Sequence, residues 1–255
     1  TAVTSLLRQA TTAAISYTTR EARQDVRDRL IAISATGLRD AAPGSDHQVA
    51  YANGLAAAAT KDAADLLEGW LNGEEVPEGL DIDQGMRWRL LIALAGMGRV
   101  GEPEITAELQ RDNTISGSEQ ATGARAAMPT AEAKQAAWQR ATTDDSVPNE
   151  TYRQLVSQFI QPDQAEALSQ YVDPYLELCK SIDSRDGQWA KAGHAQVQNA
   201  LMWLFPSTEV IDEAWLDKLD GWVSDNNPGS TVRRVLAERA DNARRTLRCQ
   251  EASRH

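Results

Sequence analysis

Pro129, Pro148, Pro162, Pro174, Pro206 and Pro228 divide the second half of this chain into stretches of helix length. Proline lacks an amide hydrogen and its ring collides with the preceding turn, so it is tolerated in or just before a helix's first turn and not in its interior. Between these stops the chain is built from Ala, Leu, Gln, Glu and Arg, with 2 Phe and no β-branched run. That composition favours helix over strand. No segment shows the strict alternation of a half-buried strand. The prolines therefore read as helix boundaries, and the expected fold class is all-α.

Apolar positions agree, falling at helical spacing at Trp88, Leu91 and Ala95, at Leu155, Val156, Phe159 and Ile160, and at Val197, Leu201, Leu204 and Phe205. The pattern predicts helices near 3–17, 20–36, 46–59, 61–71, 83–97, 102–111, 117–128, 130–142, 149–160, 163–172, 174–183, 185–204, 208–224 and 229–250. Capping-box patterns at Thr18 with Glu21 and Ser116 with Glu119, and an acidic equivalent at Asp163 with Glu166, mark three expected starts.

Short amphipathic helices joined by short turns cannot each close a core, whereas stacking them as antiparallel hairpins buries a continuous one. The expected architecture is an α-α superhelix of such hairpins, HEAT/armadillo-like, forming one domain over residues 1–255. No strict repeat consensus is present, so a compact irregular bundle is the alternative. The Gly- and acid-rich segment 72–83 is the longest expected connection and the place where two sub-bundles would divide.

With 37 acidic against 26 basic residues, the net charge of −11 argues against general nucleic-acid or anionic-membrane binding. Cys179 and Cys249 form no CxxC pair, which suggests neither a disulfide framework nor a thiolate metal site and fits a reducing, cytoplasmic setting. Arg8 interrupts the early apolar positions, so no signal peptide is expected. The longest apolar run, 90–98, is far short of the roughly 20 residues that span a bilayer.

Candidate chemistry is sparse. His47, His194 and His255 lie outside helical reach of one another, so the i, i+4 pair that sets two imidazoles on one zinc is absent. Carboxylate pairs at Asp81 and Asp83, Glu74 and Glu75, and Asp144 and Asp145 read as loop and helix-start residues, where negative charge is favoured. In the last helix Arg233, Arg234, Arg239, Arg244, Arg245 and Arg248 are interleaved with Glu238 and Asp241, which suits a solvated face or a docking surface better than a nucleic-acid groove. Of the 7 Trp, Trp88, Trp138 and Trp203 are expected in the core and Trp189 at the surface.

The string PEGLDIDQGMRWRLLIALAGMG at 77–98 resembles the C-terminal helical domain of the zinc aminopeptidases of the aminopeptidase N family, most closely its actinobacterial branch. The resemblance continues through PGSDHQVAYANGLA (43–56), PTAEAKQAAW (129–138), QPDQAEAL (161–168) and ARRTLRCQ (243–250), nearly the whole chain. The family's His-Glu-x-x-His zinc helix and Gly-x-Met-x-Asn strand have no counterpart here. The resemblance thus implies a non-catalytic domain that closes over a zinc-bearing catalytic domain of the same polypeptide and holds the distal part of a peptide substrate. No catalytic or zinc residue transfers, and zinc is expected only in the catalytic domain. Arg87 is the one residue named for peptide contact, since its planar fork suits a carboxylate. Two other classes are weighed: a free-standing helical scaffold for a protein partner, and a HEAT-like DNA-repair enzyme, which the charge opposes.

Overall fold

The computed structural model describes residues 2–254, so Thr1 and His255 lie outside the described residues. Among the described residues every regular element is a helix. In chain order these are α1 (Ala2–Thr12), which runs into a π turn (Ala13–Tyr17), α2 (Arg20–Asp40), α3 (Asp46–Ala58), α4 (Ala64–Asn72), α5 (Gln84–Gly96), α6 (Glu102–Arg111) and α7 (Ile115–Ala127). There follow α8 (Ala131–Thr143), α9 (Asn149–Ser157), the single turn α10 (Ala165–Leu168), α11 (Val172–Ser184), α12 (His194–Trp203), α13 (Glu213–Asn226) and α14 (Ser230–Ala252). The chain packs as two compact units, one reaching Glu108 and joined by Cys249 onward, the other Leu109–Arg248.

In the first unit α2 and α3 are antiparallel. The Arg27 guanidinium donates to the carbonyls of Ala58 and Ala59 at the end of α3, while Gly37, a helical turn before the end of α2, faces Tyr51. A Cβ on Gly37 would stand 2.4 Å from the Tyr51 ring, so glycine is what lets the helices approach there. Helices α4 and α5 are also antiparallel, with Arg87 bonded to the Leu71 carbonyl and Arg99 to Asp65 and Glu68. Their core holds Leu55, Leu67, Trp70, Met86, Leu90 and Leu94. The 72–83 segment lies inside this unit: Gln48 accepts from Gly44 N and donates to the Glu78 carbonyl, and a Cβ on Gly79 would stand 2.6 Å from Gly44 N and Pro43 Cβ.

The second unit is built on a larger core that includes Tyr152, Phe159, Tyr175, Trp189, Leu201 and Leu216. Its α8 and α9 run antiparallel, since the Tyr152 hydroxyl donates to the Ala141 carbonyl at 3.1 Å while Lys134, two turns back, reaches the Phe159 carbonyl at 2.6 Å. Tyr175 on α11 donates to the Leu201 carbonyl of α12 at 2.7 Å.

Helix starts depart from the expected caps by one or two residues. Thr19, not Thr18, accepts from Ala22 N, while Thr18 donates to the Ala13 carbonyl that closes the π turn. Thr114, not Ser116, caps α7 by accepting from Gly117 N at 3.0 Å. Asp163 is left-handed, with φ 62°, and its N–H donates to the Glu209 carboxylate. The expected 185–204 helix begins only at His194: Arg185 (φ 59°) and Gly187 (φ 56°) are left-handed, and a 3-10 turn, Gly187–Ala190, precedes α12. The 208–224 helix starts late because Ser207 O collects the amides of Val210 and Ile211 in a turn, leaving Asp212 as the cap. Pro174 sits within the first turn of α11, where its missing N–H costs nothing.

Candidate functional site

Asp83 starts α5 by accepting from Met86 N at 2.7 Å, and one residue later Arg87 leaves the helix toward α6. Its guanidinium grips Glu108 with two parallel bonds, Nε to Oε1 at 2.9 Å and Nη2 to Oε2 at 2.6 Å, and gives Nη1 to the Leu71 carbonyl at 2.8 Å. The side chains are 18% and 7% exposed, so this fork-on-fork pair is largely desolvated. The Leu71 carbonyl belongs to the last turn of α4, where intrahelical donors run out. Arg87 thus ties three helices, and a peptide carboxylate would reach it only by displacing Glu108.

Sequence reasoning passed over Lys134. This α8 lysine is 0% exposed and donates to the carbonyls of Ala126 (2.8 Å), Ala127 (3.5 Å) and Phe159 (2.6 Å), with Nζ 5.3 Å from the Phe159 ring centroid. Ala126 and Ala127 end α7, and Phe159 follows the end of α9, so one ammonium answers the negative ends of two helix dipoles. Gln164 adds a bond to the Ala127 carbonyl at 2.9 Å. Burial pushes the lysine's pKa down to about 7. In an open cleft that value would mark a nucleophile or base; enclosed as it is, Lys134 is a pin. The signal was legible: Lys134 stands on the same stripe as buried Ala137 and Ala141.

Against this pin lies an aromatic trio. Trp138, Phe159 and Tyr171 stack with centroids 5.0 to 5.8 Å apart. Beside it lies a small cleft, with room for about one water, lined by Ile160, Leu168, Tyr171, Leu204, Pro206, Ser207 and Val210. The Tyr171 hydroxyl and Ser207 Oγ are buried and have no hydrogen-bond partner.

The remaining sequence candidates are dispersed. His47 and His194 are exposed, and His255 lies outside the described residues. Asp83 is a cap, and Asp144 accepts from the Ser146 hydroxyl and amide, which hold its carboxyl below the usual range. Among the described residues no three His, Cys, Asp or Glu gather as a metal site. The α14 arginines are mostly engaged within their unit: Arg244 with Glu213, Asp217 and Asp220, Arg234 with Glu238, Arg245 with Asp241, and Arg239 over the Phe205 ring at 5.3 Å. Two tryptophan assignments reverse: Trp189 is 2% exposed in the core, and Trp203 is 43% exposed. Trp88 is buried as expected, and Trp138 is partly so.

The sequence profile of the ERAP1-like C-terminal domain matches residues 1–245. The chain belongs to that family. It is 37% identical over 251 residues, 98% of its length, to the protein named Aminopeptidase N of Streptomyces lividans. It spans 28% of that relative's length, so the matched region is a minor part of the longer polypeptide in the relative.

Proposed function

We propose that the chain is the non-catalytic C-terminal domain of a zinc-dependent aminopeptidase that removes N-terminal amino acids from peptides. In that role its helices enclose the active-site chamber and contact the part of the peptide beyond the residues being cut. The observation that carries the reading is the match of nearly the whole chain to 28% of a protein named Aminopeptidase N. In this reading the zinc is held by the catalytic domain, since the His-Glu-x-x-His helix that would ligate it has no counterpart in this sequence. Remote contacts of this kind contribute to positioning at the reacting centre. The two unpaired cysteines fit a reducing, cytoplasmic location.

The test compares kcat/KM over a peptide length series for the complete enzyme and for the enzyme lacking this domain. Single-residue arylamides should lose less than longer peptides. An identical length profile in both proteins would reject the role.

A further inference from the structure

Among the described residues Leu6, Tyr17, Ile33, Val49, Ile115 and Trp203 are large apolar side chains that stand exposed. Such residues scattered singly need no explanation. Two of them, however, share α1 and the π turn that continues it, where Leu6 is 63% and Tyr17 39% exposed. Ala10 and Ala13 between them are exposed as well, and the spacing 6, 10, 13, 17 sets all four on one stripe.

The inner face of the same helix is already occupied. Leu7 and Ala14 are buried with Val3 packed on them, and a Cβ on Gly54 of α3 would stand 3.0 Å from Leu7. With apolar stripes on both sides, α1 has the pattern of a helix covered all round. Its charge agrees. Residues 2–17 carry one charged side chain, Arg8, where the chain's 25% charged composition would give about four. The exposed side of α2, by contrast, carries Arg20, Glu21, Asp25, Asp28 and Arg29. Depletion of charge is the compositional mark of an interface core.

Area selects the occupant. Helix α1 and its π turn make a strip about 24 Å long and about 10 Å wide, far short of the roughly 800 Å² per partner that a stable pair of free proteins buries. A second copy or an independent partner would find too little to hold here. A body tethered to the same polypeptide needs far less, because its contact is intramolecular and its effective concentration high. The chain spans 28% of its relative's length, so under the function proposed above the tethered body is the rest of the enzyme.

We propose that the stripe of Leu6, Ala10, Ala13 and Tyr17 seats on an apolar, uncharged surface of the catalytic domain of the same polypeptide. The proposal rests on that functional reading and adds which face of this domain makes the contact. The two alanines allow close approach, and Leu6 and Tyr17 supply the inserted side chains.

The test replaces Leu6 by the photo-crosslinking residue p-benzoylphenylalanine in the complete enzyme, with Asp25 on the charged side of α2 replaced as the control. Irradiation of the Leu6 variant should give a product of monomer mass whose crosslink maps outside these 255 residues. A product of doubled mass, a crosslink only within the 255 residues, no crosslink, or equal yields at Leu6 and Asp25 overturns the proposal. A second measurement uses Leu6→Glu, which puts a charge into the seat and should speed limited proteolysis between this domain and the rest of the complete enzyme about tenfold, whereas Leu6→Met should leave the rate unchanged. Equal rates for Leu6→Glu and the parent also overturn it. The peptide length profile separates this face from the reading beneath it: a profile that depends on the domain, with crosslinks elsewhere, rejects the face alone, and an identical profile with and without the domain rejects the reading.

Discussion

Lys134 is a buried amine whose positive charge is stabilised by carbonyl dipoles and the face of the Phe159 ring, and its proton affinity therefore carries a pH signature. Its folded pKa of about 7 lies below the roughly 10.4 of an unfolded lysine. Between those values the unfolded chain binds more protons, so Lys134's contribution to stability rises with pH from about 7 to about 10; below 7 its full burial cost is felt. Buried Cys179, whose thiol is pushed up to about 12, acts with the opposite sign above the unfolded thiol's value of about 8.5. The measurement is accordingly a difference. Urea titrations of the parent and of Lys134→Met should show the gap between them shifting in the parent's favour by about 4 kcal/mol across that window, and a constant gap would contradict the assignment. Arg87 makes the complementary case, a cation answered by a fork. Glu108→Ala strands a largely buried guanidinium and should cost about 3 kcal/mol by chemical denaturation, whereas Arg87→Met combined with Glu108→Leu should cost less than the sum of the single changes. Arg87 was visible in sequence as an arginine at a helix entry. Its partner, 21 residues on, was not.

At the scale of elements, almost every helix was legible, because 3.6-residue apolar spacing and proline stops act within one turn and need no partner. The ends were harder. Thr18 and Thr19 are the same residue type side by side, and what selects Thr19 as the cap is the π turn at 13–17, whose first carbonyl, that of Ala13, engages the Thr18 hydroxyl instead. Thr19→Ala should therefore destabilise the chain by about 1 kcal/mol and Thr18→Ala by less than about half of that. The same contrast holds at α7, where Thr114→Ala should cost about 1 kcal/mol and Ser116→Ala little, as thermal unfolding of the pair will show.

At the scale of the whole molecule, a net charge of −11 and the commitment of Arg234, Arg244 and Arg245 to carboxylates on α13 and α14 leave no broad cationic face on the last helix. Duplex DNA at low salt should give no electrophoretic shift with this chain, and a salt-sensitive complex would revive the nucleic-acid reading.

What the sequence by itself determined is what local physics and composition carry: the helical class, the place of nearly every helix, the sign of the surface charge, and the kinship that the ERAP1-like C-terminal domain match bears out. Tertiary structure decided which of two neighbouring hydroxyls caps a helix, that Trp189 is inside and Trp203 outside, that the 72–83 connection lies within a unit, and that a lysine from one helix closes the ends of two others. Each of those outcomes depends on groups brought together from distant parts of the chain, and a buried carbonyl or guanidinium takes whichever partner the packing delivers.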